Sequence, residues 1–240
     1  MRLDGYLVEK GLFDSRTKAK QAIERGEIFI NSKPITKPAF EINETLEYNV
    51  ERVCEKSFVS LGGFKLQKAI EDFAFSCKDL IVADVGASTG GFTDCLLKNG
   101  AKKVYAIDLN DELLHKSLKE DDRVVSIIKN AKDLVKEDFA EELDLIVADL
   151  SFISLTAVIE AFNRILPSGK QLILLIKPQF ETGEKKRFKN GIIRDEKVRG
   201  RACKNVCECA LSNGLTTINL TQAPINKDKN IEYLILLNKQ

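Results

Sequence analysis

The stretch Asp84-Val85-Gly86-Ala87-Ser88-Thr89-Gly90-Gly91-Phe92 decides how this chain is read. The apolar run Leu80 to Val85 leads into it as a predicted buried strand, and Phe92 to Asn99 leaves it with helical spacing. Glycines in such a turn let the backbone approach a ligand closely and take positive φ. The turn also falls at the carboxyl end of a strand, where open α/β sheets bind ligands. Its glycines do not make the G-x-G-x-x-G spacing of dinucleotide sites, and Ala87-Ser88-Thr89 stands where a phosphate cradle would need glycine.

Working outward, the alternation continues. Val104 to Ile107, Val124 to Ile128, Leu143 to Ala148 and Leu172 to Ile176 read as buried strands. Glu112 to Leu118, Leu155 to Leu166 and Glu196 to Ser212 read as the helices between and after them. This pattern predicts a parallel sheet covered on both faces. Thr216 to Thr221 and Ile231 to Leu237 have no helix between them and predict a terminal antiparallel hairpin through a loop at Pro224 to Asn230. An α/β sheet closed in this way resembles the class I, Rossmann-like methyltransferase fold. The likeness implies S-adenosyl-L-methionine as cofactor, held at Asp84, Gly86, Ala87, Ser88, Gly90 and Gly91. Asp108 ends the next strand and can accept both ribose hydroxyls of an adenosine. Asp133 has two readings, an adenine-amine contact or a surface acid. Phe92 likewise packs beside the cofactor or in the core.

Four polar residues stand at predicted element ends near this rim. Asp149 ends the fourth strand, Lys177 ends the fifth, Glu232 begins the last, and Lys65 lies on a helix before the first. Methylating a hydroxyl requires its proton to be removed as the new bond forms. A lysine accepts that proton only as the neutral amine. Burial and a second cation favour this form, and a neighbouring carboxylate opposes it. Taken singly, each residue is more simply a surface salt-bridge partner; their combination on strand ends points to catalysis.

The first segment differs in kind. Leu3, Leu7 and Val8 recur at helical spacing before Gly11; Asp14 or Ser15 can cap a second helix carrying Ala19, Ala22 and Ile23 inward, ended by Gly26. Ile28-Phe29-Ile30 reads as a strand running into an Asn31-Ser32 turn, with further short strands at Ile35 and along Leu46-Tyr48-Val50. Basic residues (Arg2, Arg16, Lys18, Lys20, Arg25, Lys33, Lys37) crowd its first part and acidic ones (Glu41, Glu44, Glu47, Glu51, Glu55) its second. These are solvated faces or a phosphate-contacting face with an acidic rear. Arg2-Leu3-Asp4, Leu7 to Leu12, Ser15-Arg16 and Ile28 to Asn31 resemble the alpha-L RNA-binding domain. The resemblance implies that Arg2, Arg16 and Lys37 face RNA, and Lys20 is a further candidate contact. We expect an α+β RNA-binding domain over 1–53, a linker over 54–59 and a methyltransferase domain over 60–240.

Composition narrows the field. The formal net charge of +1 offers no bulk attraction to nucleic acid, so such binding must come from local patches. One patch is Glu184-Lys185-Lys186-Arg187-Phe188-Lys189; between Lys177 and Lys204 ten basic residues face four acidic ones. Lys185, Lys186, Arg187 and Lys189 are candidate phosphate contacts beside Lys177, or a solvated loop. Six cysteines follow no disulfide spacing. A metal at Cys203 and Cys207 would need further ligands, and His115 is the sole histidine, so free thiols and no metal are expected. No signal peptide or membrane-length apolar run is read, which predicts a cytoplasmic protein and argues against a pore.

Val59-Ser60-Leu61-Gly62-Gly63-Phe64-Lys65-Leu66, Asp149 to Leu155, Lys177-Pro178-Gln179-Phe180-Glu181 and Gly191 to Asp195 resemble the TlyA family, once called haemolysins. The likeness covers nearly the whole chain. It implies an FtsJ-like methyltransferase domain acting on a cytidine 2'-hydroxyl of ribosomal RNA, in the large subunit or in both. It also implies that Lys65, Asp149, Lys177 and Glu232 form a catalytic Lys-Asp-Lys-Glu tetrad. Leu61 stands where the family usually has arginine, which removes an RNA or interdomain contact and leaves Lys65 in place. The alternative is an RNA-binding ribosome-assembly factor that no longer catalyses.

Overall fold

The computed structural model describes residues 1–24, 27–31, 33–43, 48–52, 58–183, 191–224 and 229–240, with backbone alone at 33, 34, 51 and 52. The chain divides into two compact units, Met1–Ser57 and Phe58–Gln240. The expected boundaries at Gly26, Leu46 and the linker residues 54–57 lie outside the described residues.

In the first unit, helices α1 (Leu3–Glu9) and α2 (Arg16–Glu24) are followed by three short strands, β1 (Ile28–Ile30), β2 (Lys33–Ile35) and β3 (Val50–Arg52). The strands form an antiparallel sheet in the order β2-β1-β3. Gly11, at φ 71°, turns the chain after α1. Of the two candidate caps on α2, Ser15 accepts the Lys18 N–H, while Asp14 pairs with the Lys18 ammonium. Leu3, Leu7, Ala19, Ala22, Ile23 and Ile28 make a core of their own.

The second unit opens with α3 (Gly62–Asp72). It continues through β4 (Ile81–Val85), α4 (Gly91–Lys98), β5 (Lys103–Asp108), α5 (Lys116–Lys119), β6 (Val124–Ile128) and β7 (Leu145–Ala148). Then come α6 (Ile159–Ile165), β8 (Gln171–Ile176), α7 (Pro178–Glu181), α8 (Glu196–Ser212), β9 (Leu215–Gln222) and β10 (Tyr233–Lys239). Seven strands run in the order β6-β5-β4-β7-β8-β10-β9. The pairings from β6 to β8 are parallel, and β10 enters antiparallel between β8 and β9. Successive side chains leave a strand on opposite faces, and this alternation builds two cores. Ala83, Val85, Ile146, Leu174 and Ile235 face α6 and α8; Val82, Val104, Val147, Ile173 and Leu234 face α3 and α4.

Two expectations change in detail. Val124 to Ile128 forms a strand but is not buried: β6 is an edge, and Val125 and Ile128 are exposed. The helix expected over 112–118 is also shorter than read. Asn110 accepts the Glu112 N–H and His115 accepts the Ser117 N–H, so the segment breaks into turns and α5 is only four residues long. Among the described residues no helix is long and apolar enough to cross a membrane.

Candidate functional site

The strand order reverses at β4, whose neighbours are β5 on one side and β7 on the other. Crossovers leaving in opposite directions open a crevice at that strand's carboxyl end. There a cleft of about 570 Å³ is lined by Gly86, Ser88, Asp108, Leu113, Asn130 and Asp149, among others. That volume is in the range of small-molecule sites. Gly86, at φ 84°, is required: a Cβ would sit 3.0 Å from the Asp149 carbonyl oxygen, which cannot withdraw without moving the β7 end. The Asp108 carboxylate is fixed by backbone, with Ser88 N–H donating to one oxygen at 2.8 Å and Leu109 N–H to the other at 2.7 Å. Each oxygen keeps a further lone pair for a ligand.

Asp84 lies fully buried at the β4 end. One carboxylate oxygen accepts the Thr93 hydroxyl at 2.6 Å; the other has no hydrogen-bond partner among the described residues. Burial pushes its pKa up to about 7, and the nearby Asp149 and Asp108 carboxylates push the same way. Ala87, Gly90, Gly91 and Phe92 are not among the cleft-lining residues. Ala87 and, on α4 itself, Phe92 are buried in the core. A Cβ on Gly90 would strike Leu118, and one on Gly91 would meet Ser60 and the Gly63 backbone nitrogen. Asp133 is exposed in a short 3-10 turn (Ala131–Asp133) and is not among the cleft-lining residues; Lys129, Asn130 and Ala131 are.

The four residues singled out at element ends converge. Lys177 Nζ lies 2.6 Å from Asp149 Oδ1, and Lys65 Nζ lies 3.7 Å from Asp149 Oδ2 and 2.7 Å from Glu232 Oε2. Asp149 thus spans two ammonium groups, and all four side chains are 10–19% exposed. Topology explains the meeting. β7 and β8 are parallel neighbours, so Asp149 and Lys177 leave the same rim. β10 runs antiparallel to β8 with Tyr233 opposite Ile176, so the residue before its start, Glu232, lands at that rim too. Lys177 Nζ also donates to Ser151 Oγ at 2.7 Å and stands 6.0 Å from the Phe180 ring centroid. Glu181 on α7 accepts from Leu155 N–H and Ser154 Oγ, tying the loop after β7 to the loop after β8. Phe152, at the cleft mouth, is 80% exposed with φ 68°, a strained backbone for a bulky residue.

In the first unit, Arg2 and Arg16 both pair with Asp4, at 2.9 and 3.3 Å. Burial raises the Asp4 carboxyl, but the two guanidiniums outweigh it and hold the group below its ordinary range. Both arginines stay largely exposed, as does Lys37. Lys20 is 3.9 Å from Glu24. Lys185, Lys186, Arg187 and Lys189 lie outside the described residues.

Residues 58–239 match the family model described as FtsJ-like methyltransferase, and residues 1–47 match the S4 domain. Over 237 residues the chain is 44% identical to Hemolysin A of Brachyspira hyodysenteriae, covering 98% of both chains. It is 36% identical to the 16S/23S rRNA (cytidine-2'-O)-methyltransferase TlyA of Mycobacterium tuberculosis, covering all of this chain and 90% of that one. The chain belongs to the TlyA family of FtsJ-like methyltransferases. A solved structure named for a hemolysin of Streptococcus thermophilus superposes with TM-score 0.74 at 36% identity, over all of this chain and 88% of that one.

Within the FtsJ-like domain, sequence reasoning missed part of the cleft wall. Leu109 and Leu113 line it and are exposed large apolar residues just after Asp108, a signal that was available. Asn130, which also lines the cleft, comes just after the carboxyl end of β6, near the strand ends that carry Asp108 and Asp149.

Proposed function

We propose that this chain is an S-adenosyl-L-methionine-dependent methyltransferase that modifies the 2'-hydroxyl of a cytidine ribose in ribosomal RNA. The observation that carries the reading is the convergence of Lys65, Asp149, Lys177 and Glu232 on the rim of the cleft. The cleft's own chemistry fits the cofactor. Asp108 offers acceptors for two ribose hydroxyls, and Leu109 and Leu113 offer an apolar wall for a purine; Asp84, buried and outside the cleft lining, keeps an oxygen without a hydrogen-bond partner among the described residues.

When bound, the cofactor supplies an electrophilic methyl group. Lys177, as the neutral amine, takes the proton that the ribose oxygen loses as its new bond to carbon forms. Asp149 holds the ammonium that results, and Glu232 holds Lys65 on the other side of Asp149. The S4 domain supports an RNA substrate, with Arg2, Arg16, Lys20 and Lys37 as phosphate contacts that position the enzyme without reading sequence. A ribosomal substrate places the work of the protein in the cytoplasm.

Mapping 2'-O-methyl marks in ribosomal RNA from cells with and without the gene tests the reading and names the subunit. We expect one or two marks to vanish and to return with the wild-type gene. With Lys177→Ala they stay absent, because losing a general base costs roughly 10²–10⁴-fold in rate. Identical maps with and without the gene would overturn the proposal.

A further inference from the structure

We propose that Ser151 is a positioning residue that aims the Lys177 amine at the ribose hydroxyl, an inference resting on the methyl-transfer reading above. Lys177 Nζ has two oxygen neighbours in the segment that follows β7, Asp149 Oδ1 at 2.6 Å and Ser151 Oγ at 2.7 Å. The two contacts differ in kind. The approach to Asp149 is a charge pair, and Oδ1 takes no aligned hydrogen bond among the described residues. The contact to Ser151 is an aligned hydrogen bond in which Nζ donates.

That difference assigns separate tasks. Charge attraction depends on distance and fixes where the nitrogen sits. A hydrogen bond depends on angle and fixes how the amine is rotated about its Cε–Nζ bond. A neutral amine carries two N–H groups and one lone pair. With one N–H fixed on Ser151, rotation about Cε–Nζ is set, and with it the direction of the lone pair that takes the hydroxyl proton. Ser151 lines the cleft and is exposed, so its hydroxyl stands beside the reacting space and contributes nothing to the core. The Phe180 ring, 6.0 Å from Nζ, offers no directional acceptor to replace it. Lys65 cannot substitute, since its own ammonium is held by Glu232 at 2.7 Å.

The test uses full-length protein, S-adenosylmethionine and ribosomal subunits from cells lacking the gene, with Ser151→Ala, Ser151→Thr, Lys177→Ala and the Ser151→Ala/Lys177→Ala pair. Ser151→Ala should lower kcat roughly ten- to hundredfold, the range for a hydrogen bond to a charged or reacting group. KM for the subunit and the calorimetric Kd for the cofactor should stay within about twofold of wild type. Ser151→Thr, which keeps the hydroxyl, should restore most of the rate. Adding Ser151→Ala to Lys177→Ala should cost nothing further, because the serine acts through that lysine. In the free protein, the ¹⁵N-lysine resonance missing from Lys177→Ala should move in Ser151→Ala and return in Ser151→Thr. A Ser151→Ala enzyme with wild-type kcat, a loss confined to KM, a full extra loss in the double variant or an unmoved resonance would each overturn the positioning role alone. A Lys177→Ala enzyme with wild-type kcat would instead overturn the underlying role of Lys177.

Discussion

At the scale of single residues, Asp84 carries an unusual burden. It is fully buried with one oxygen bonded to Thr93 and the other without a hydrogen-bond partner among the described residues, and its pKa is raised to about 7. Below about pH 4 the carboxyl is protonated in both the folded and unfolded chain, and no penalty exists. Between about pH 4 and 7 the unfolded chain ionises while the folded one holds its proton, so stability drains away as pH rises and levels off above 7. Asp84→Asn keeps an acceptor for Thr93 and removes this dependence. Urea melts at pH 5, 6 and 7.5 should show the variant gaining on wild type as pH rises, and a constant difference would contradict the assignment. Sequence placed Asp84 on a buried strand before Gly86, but not the contact of its carboxylate with Thr93 on α4, which packs over that face of the sheet.

At the scale of elements, helix packing constrains what can stand at the glycines. From sequence, Gly90 and Gly91 read as cofactor residues, since a glycine-rich turn is equally apt for a ligand or a neighbouring backbone. The structure brings α3 so close to α4 that a Cβ on Gly91 would lie 2.3 Å from Ser60 Oγ and 2.9 Å from the Gly63 nitrogen. A Cβ on Gly63 would likewise meet the Phe58 ring. Because α3 carries Lys65, packing here sets the position of that ammonium. Gly91→Ala should cost about 1 to 3 kcal/mol by overpacking, measured as a lower urea midpoint. It should also lower methyl transfer beyond the loss of folded protein, as α3 shifts and Lys65 moves from Glu232. Unchanged activity per folded molecule would show that α3 yields without moving Lys65.

At the scale of the whole molecule, the proposed function assigns recognition and chemistry to different units. In the S4 domain Asp4 fixes Arg2 and Arg16 while leaving both guanidiniums exposed, although the net charge of the chain is only +1. If they meet phosphates, the double Arg2→Ala/Arg16→Ala variant should bind ribosomal RNA more weakly. Its slope of log affinity against log salt should fall by roughly one unit per lost contact, with cofactor Kd unchanged. An unaltered slope in filter-binding titrations would remove these arginines from the RNA face. The apolar runs and their spacing were enough to predict the α/β layering, the terminal hairpin and the strand ends, because alternation along a strand and periodicity along a helix are local properties of the chain. Only the tertiary structure decided which strand ends are neighbours: β7 beside β8, and β10 turned antiparallel so that Glu232 reaches the rim of Lys177 and Asp149. Strand order and the distances between side chains arise from contacts far apart in sequence, and no local pattern encodes them.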